Sequence, residues 1–146
     1  MHLSVIITAY NEGERLSETL IDINDFLSRQ KYDSEIIVVN DGSTDNTAEI
    51  VKEFSKKIRN FKLIDNKKNN GKGFVVRQGL QNAKGDYRLF MDADNSTRIN
   101  ELNEFFASFE QGFQIAIGSR SVPGAVLNPP QPFFRRFFGK IFNFVS

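Results

Sequence analysis

Two nearly continuous apolar runs constrain this chain more than anything else in it. Residues 3–9 are rich in Val and Ile, and Ile36, Ile37, Val38 and Val39 form the centre of residues 35–40. A strand with one wet face alternates apolar and polar residues; these two do not, so both of their faces are buried, as in a parallel sheet. Shorter runs of the same kind stand at 61–64, 87–91 and 114–117. Between them, apolar residues recur at helical spacing. Leu16, Leu20, Ile23 and Leu27 make one stripe, and Ile50, Val51, Phe54 and Ile58 a second. Val76, Leu80 and Ala83 make a third; Leu102, Phe105, Phe106 and Phe109 make the fourth, in a helix predicted over 100–111. Strand and helix thus alternate five times. That order predicts an α/β fold: an open, mostly parallel sheet with right-handed crossovers and helices on both faces. A chain of 146 residues is long enough for one such core.

In an open parallel sheet, ligands bind beyond the carboxyl ends of the strands. Here those ends carry Tyr10 and Glu12, then Asp41, then Asp92 and Asp94, then Arg120. The carboxylates of Asp92 and Asp94, one residue apart at the end of an apolar strand, are costly unless something neutralises them. Mg2+ or Mn2+ is the expected partner, because a hard cation prefers carboxylate oxygen and keeps positions open for phosphate. The alternative is a solvated turn. Asp41, followed by Gly42, suits hydrogen bonding to a base or ribose; an Asx-turn or a helix cap competes with that role, and Asp45 is better placed as the cap. Tyr10 can stack on a base or sit at a core edge. Glu12 can accept from a ribose or stabilise a helix N-terminus. Lys72 lies in a Gly-flanked loop, residues 69–73, that leads into a helix, where amides and ammonium both favour phosphate. The loop is not a P-loop, since it lacks the Walker spacing and the final Ser or Thr. Arg120 can hold an anionic acceptor through paired hydrogen bonds, and Arg135 and Arg136 can do the same.

Charge and composition narrow the partners. The net charge of +1 gives no global basic field, so nucleic acid is not expected. No Asp or Glu follows Glu110, whereas Arg120, Arg135, Arg136 and Lys140 do, and that quarter of the chain suits an anionic partner. The absence of cysteine excludes disulfides and thiolate metal sites and is compatible with a reducing cytoplasm. No run reaches the ~18 apolar residues of a membrane span. The four prolines all fall within 121–132, an irregular connection. After it, Phe133, Phe134, Phe137, Phe138, Ile141, Phe142 and Val145 fit one helical face, with Arg136, Lys140 and Asn143 opposite. Such a helix fits a membrane surface, or packing on a further part of the protein.

Together, residues 4–12, 39–45, 70–73 and 92–94 resemble the motifs of the family 2 glycosyltransferases of GT-A fold, in the family's order. Gly118, Ser119 and Arg120, with the Arg-rich aromatic segment from Phe133, resemble its polyprenyl-phosphate branch, which includes dolichyl-phosphate glucosyltransferases and mannosyltransferases. Residues 91–97 are closer to the glucosyl type, because Ser96 stands where the mannosyl type usually carries a metal-binding Gln. The resemblance implies that Asp94 binds Mg2+ or Mn2+ and that Asp92 shares it or contacts the nucleotide. It implies base recognition by Asp41, diphosphate contact by Lys72, and nucleotide contacts by Tyr10 and Glu12.

The expectation that follows is a metal-dependent, inverting glycosyltransferase. Its donor is a nucleotide-diphospho-sugar, UDP-glucose before others, and its acceptor a polyprenyl phosphate. Residues 1–120 would form the nucleotide-sugar-binding core, and 121–146 the acceptor and membrane side. The protein would lie in the cytoplasm, peripheral at the inner face of the membrane, with oligomers possible. The motif that usually follows the aromatic helix is missing, so the chain reads as C-terminally truncated. Two rivals stand: a family 2 enzyme with a glycan hydroxyl acceptor, and a non-catalytic module that binds nucleotide or membrane.

Overall fold

A computed structural model describes residues 2–118. The order is β1 (His2–Ala9), α1 (Leu16–Ser28), β2 (Asp33–Asn40), α2 (Thr47–Lys57), β3 (Phe61–Asp65), α3 (Lys72–Asn82) and β4 (Tyr87–Asp92). A 3-10 turn, Ile99–Glu101, then leads into α4 (Leu102–Glu110). The chain divides into two compact units, one ending at Asn103 and the other beginning at Glu104.

The first unit holds one sheet, of order β3-β2-β1-β4, and every pairing in it is parallel. The chain runs from β1 to β2 to β3 in one direction and then jumps back over the sheet to β4. Right-handed crossovers therefore put α1 and α2 on one face and α3 on the other. The two strands with continuous apolar runs, β1 and β2, lie at the centre, and Val5, Ile6, Ile7, Ile37, Val38 and Val39 are fully buried. The α3 face of the core combines Ile6, Ile37, Val39, Val75 and Ala83, with Ile64 and Leu80 packed against it.

α3 turns a different stripe inward from the one predicted. Its buried residues are Val75 and Gly79, with the predicted Ala83 buried just past its end, while Val76 and Leu80 are only half-buried. The reason is Gly79. A Cβ there would stand 2.3 Å from Ile6 Cγ2 and 3.2 Å from Val39 Cγ2, so the missing side chain lets the helix sit close on β1 and β2. The helix predicted over 100–111 divides into the 3-10 turn and α4.

In the second unit, Phe106 and Phe109 of α4 meet edge to face with ring centroids 6.5 Å apart. The strand expected at 114–117 does not form there. Residues 115–118 have no regular structure, and Ile115 and Ile117 are 78% and 82% exposed. A β-branched run becomes a strand only when another strand takes its backbone groups, and among the described residues none does so here. The described sheet therefore has four strands rather than five.

Candidate functional site

β1 has β2 on one side and β4 on the other, so the direction of the chain reverses beside it. A crevice opens outside the carboxyl ends at such a point. The register aligns those ends: Thr8 pairs with Asp92, Ala9 with Asn40, and Asn40 with Asp65. A cleft of about 380 Å³ lies there. Tyr10, Glu12, Asp41, Lys72, Asp92 and Asp94 all line it, so the six predicted residues that are described come together from four separate stretches of chain. Arg120, Arg135, Arg136 and the aromatic segment from Phe133 lie outside the described residues.

Behind the residues that line the cleft, the end of β2 carries a polar network. Asn40 is buried; its Nδ2 donates to Asp65 Oδ1 at 2.8 Å, and its Oδ1 accepts from the Ser43 hydroxyl at 2.5 Å. Asn11 adopts a left-handed φ of 55°, which asparagine tolerates better than most residues. In that conformation its N–H donates to Ser43 Oγ at 2.9 Å, and its Oδ1 accepts from the Thr44 N–H at 2.8 Å. The turns after β1 and β2 are thereby tied to each other.

Asp41 is only 3% exposed. Its Oδ1 accepts the Asn70 N–H at 2.8 Å, and its Oδ2 accepts the Gly71 N–H at 2.9 Å. The carboxylate therefore clamps the loop that leads into Lys72, which is the first residue of α3 rather than part of the loop expected over 69–73. Gly42 makes that approach possible: its φ is +69°, and a Cβ there would meet the Lys68 carbonyl carbon at 2.4 Å. Asp45, expected as the cap of α2, stands one residue before it: the cap position is Asn46, whose own side chain makes no capping bond, and Asp45 supports the turn from outside the helix. It accepts the Thr47 N–H at 3.0 Å and the Thr47 hydroxyl at 2.5 Å, and it also accepts the Gly13 N–H at 3.0 Å. The hydroxyl bond first, with the backbone bonds adding, holds its carboxyl below the usual range against the opposing effect of burial.

Glu12 serves two structures at once. Its carbonyl accepts the Arg15 and Leu16 N–H groups at 3.1 and 2.9 Å, which starts α1. Its Oε2 lies 2.7 Å from Arg15 Nη2, near enough for an ion pair. Tyr10 is exposed at the rim, with its ring available for stacking.

At the β4 side, Asp92 and Asp94 are exposed, and Ala93 is buried between them. Lys72 reaches across the cleft: its Nζ is 2.5 Å from Asp92 Oδ1 and 5.5 Å from the centroid of the Phe90 ring. Asp94 Oδ1 accepts the Ser96 N–H at 3.0 Å. Two further residues, outside every motif, act here. Thr19 Oγ1 donates to the Ala93 carbonyl at 2.8 Å, and Asp22 Oδ2 accepts from Asn95 Nδ2 at 2.6 Å. The available signal was Thr19 itself, a polar residue within the buried stripe of α1.

Among the described residues, no three His, Cys, Asp or Glu gather as a ready cage for a metal. Two neighbouring carboxylates with space beside them are nevertheless what Mg2+ or Mn2+ takes when water and phosphate complete the shell. The donor set fits such an ion.

Residues 4–144 match the sequence model of Glycosyl transferase family 2. A dolichyl-phosphate beta-glucosyltransferase of Trichomonas vaginalis is 32% identical over 151 residues, covering 95% of this chain and 46% of that protein. Among solved structures, S. aureus TarS 1-349 in complex with UDP is similar with a TM-score of 0.64 at 28% identity, over 84% of this chain and 38% of that one. The mannosyltransferase PcManGT from Pyrobaculum calidifontis, in complex with GDP-Man and Mn2+, gives a TM-score of 0.55 at 28% identity, over 63% and 27% of the two chains. The chain spans less than half the length of the first of the curated relatives it matches. A parallel sheet that gathers acidic and basic groups at the ends of β1, β2 and β4 is thus joined to a sequence match over nearly the whole chain, and the chain belongs to Glycosyl transferase family 2, with a GT-A fold.

Proposed function

We propose that the cleft binds a nucleotide-diphospho-sugar and that the protein transfers the sugar to a polyprenyl phosphate. UDP-glucose is the donor favoured. The observation that carries this reading is convergence: Glu12, Asp41, Lys72 and the Asp92–Asp94 pair come from four stretches of sequence and line one cleft. A relative named as a dolichyl-phosphate beta-glucosyltransferase supports the sugar and the acceptor. A structural neighbour in complex with UDP supports the base, and one in complex with GDP-Man and Mn2+ supports a divalent cation.

In this reading Tyr10 stacks on the base, while Asp41 holds the loop beneath it and offers its remaining lone pairs to the base. Lys72 leaves Asp92 and meets the diphosphate. Asp94, with Asp92 beside it, would hold Mg2+ or Mn2+. When bound, that ion supplies positive charge for the departing diphosphate. The acceptor phosphate is already anionic at neutral pH, so its oxygen attacks the anomeric carbon without a strong general base. One C–O bond forms as the bond to the diphosphate breaks, and the sugar carbon inverts. The chain's own contribution is alignment and charge stabilisation. Arg120 is assigned to the acceptor phosphate, and residues 121–146 to a membrane surface, at its cytoplasmic inner face.

The test is incubation of the protein with labelled UDP-glucose, dolichyl phosphate and Mn2+, followed by solvent extraction. Label in the lipid phase, lost in Asp94→Ala, is expected. Transfer to a glycan hydroxyl with none to lipid would favour the hydroxyl-acceptor reading. Nucleotide binding without any transfer would favour a binding module.

A further inference from the structure

β4 pairs with β1 only as far as Asp92, so no ladder holds Ala93, Asp94 or Asn95. The turn is held instead by α1. Thr19 is fully buried. A threonine inside a helix usually returns its hydroxyl to the carbonyl four residues back. Here that acceptor, Arg15 O, is 3.4 Å away, while the Ala93 carbonyl is 2.8 Å away. A hydroxyl has one hydrogen, and the nearer acceptor takes it. Ala93 separates the two carboxylates, and this bond fixes the plane of the peptide that joins it to Asp94. Asp22, three residues on and on the same face of α1, accepts from Asn95 at 2.6 Å. Asn95 itself stands at a left-handed φ of 54°.

We infer that Thr19 and Asp22 are positioning residues that hold the Asp92–Asp94 turn in the shape that binds a divalent cation. This rests on the reading of that turn as the cation site. Two carboxylates on a turn converge on one ion only if the peptides between and after them keep a single orientation. α1 supplies that restraint from outside the cleft, at residues 74 and 73 positions away in sequence. Partners that orient metal ligands typically change metal affinity by about 10- to 100-fold.

The test is Mn2+ binding to the full chain in saturating UDP, read as loss of the free Mn2+ resonance, beside each variant's melting temperature. Thr19→Val should raise the Mn2+ dissociation constant about tenfold, and Thr19→Ser, which keeps the hydroxyl, should restore it. Asp22→Ala should raise it severalfold. Asp22 is exposed, so this variant carries the test if Thr19→Val fails to fold. Affinity for UDP without metal should stay within about twofold of wild type for each variant, because neither side chain lines the cleft. A lower melting temperature with unchanged Mn2+ affinity in both variants would overturn the positioning role. Wild type that binds no Mn2+ with UDP would instead overturn the cation-site reading, and this inference with it.

Discussion

Replacing Lys72 with Met divides two opposed effects of one ammonium group. In the free protein Nζ sits 2.5 Å from Asp92 Oδ1, with the side chains 62% and 48% exposed. At that exposure the pair is worth only about 0.2–1 kcal/mol. A cation that approaches Asp92 has to displace this ammonium, so the methionine variant should bind free Mn2+ about 1.5- to 5-fold more tightly. The donor diphosphate has the opposite interest. It loses a charge-assisted contact worth about 1.5–3 kcal/mol, so UDP in saturating Mn2+ should bind roughly 10- to 150-fold more weakly. Methionine keeps an apolar stem beside Phe90, so the local packing should survive. Calorimetric titration of Mn2+ alone, and of UDP with Mn2+, reads both numbers from one preparation. The reasoning is refuted if both affinities move in the same direction, or if UDP binding is unchanged.

Gly79→Ala should lower stability by about 1–3 kcal/mol, because the new methyl meets Ile6 Cγ2 at 2.3 Å and this overpacking outweighs alanine's better helix propensity. An unchanged or raised melting temperature would show that α3 can move off the sheet freely. Glu35→Gln tests the opposite end of the sheet. Burial pushes the Glu35 carboxyl up, but hydrogen bonds from Ser4 and the Lys84 N–H, with the charges of His2 and Lys84, outweigh it and leave the net value lowered from 4.5. A lowered folded value gives stability that is present above the unfolded value and lost as pH falls through the folded one. The variant should therefore be less stable by about 1 kcal/mol at pH 7, with the gap closing as pH falls below 4.5. Urea titrations at pH 7 and pH 3 check this, and a gap that persists at pH 3 would assign the loss to shape rather than charge.

What could be read from the sequence follows from the range of each interaction. β1 and β2 were legible because burial on both faces writes itself into consecutive residues. Five of the six cleft residues were legible because a parallel sheet sends every strand end to the same edge, and Lys72 because its Gly-flanked loop leads into a helix. The inward stripe of α3 was not, because its central residue is Gly79, whose contribution is a missing side chain that no hydrophobic pattern registers. The strand expected at 114–117 had the right residue types but no partner among the described ones. Asp45, expected as the cap of α2, falls one residue short of the cap at Asn46, because a polar run from Asp41 to Asn46 does not by itself mark where the helix begins. The clamp that Asp41 places on Asn70 and Gly71 joins residues 29 and 30 positions apart, and only the fold brings them together. The hold of Thr19 on Ala93 spans 74 positions: a polar residue in a buried stripe was there to be seen, but its partner was not.

The most direct measurement is a calorimetric titration of UDP and of GDP, with and without Mn2+, on wild type and on Asp94→Ala. The account predicts Mn2+-dependent binding of UDP in preference to GDP, lost in the variant while the fold persists. Binding of neither nucleotide, or UDP binding indifferent to Mn2+ and to Asp94, would contradict the assignment of the cleft as a nucleotide-sugar site.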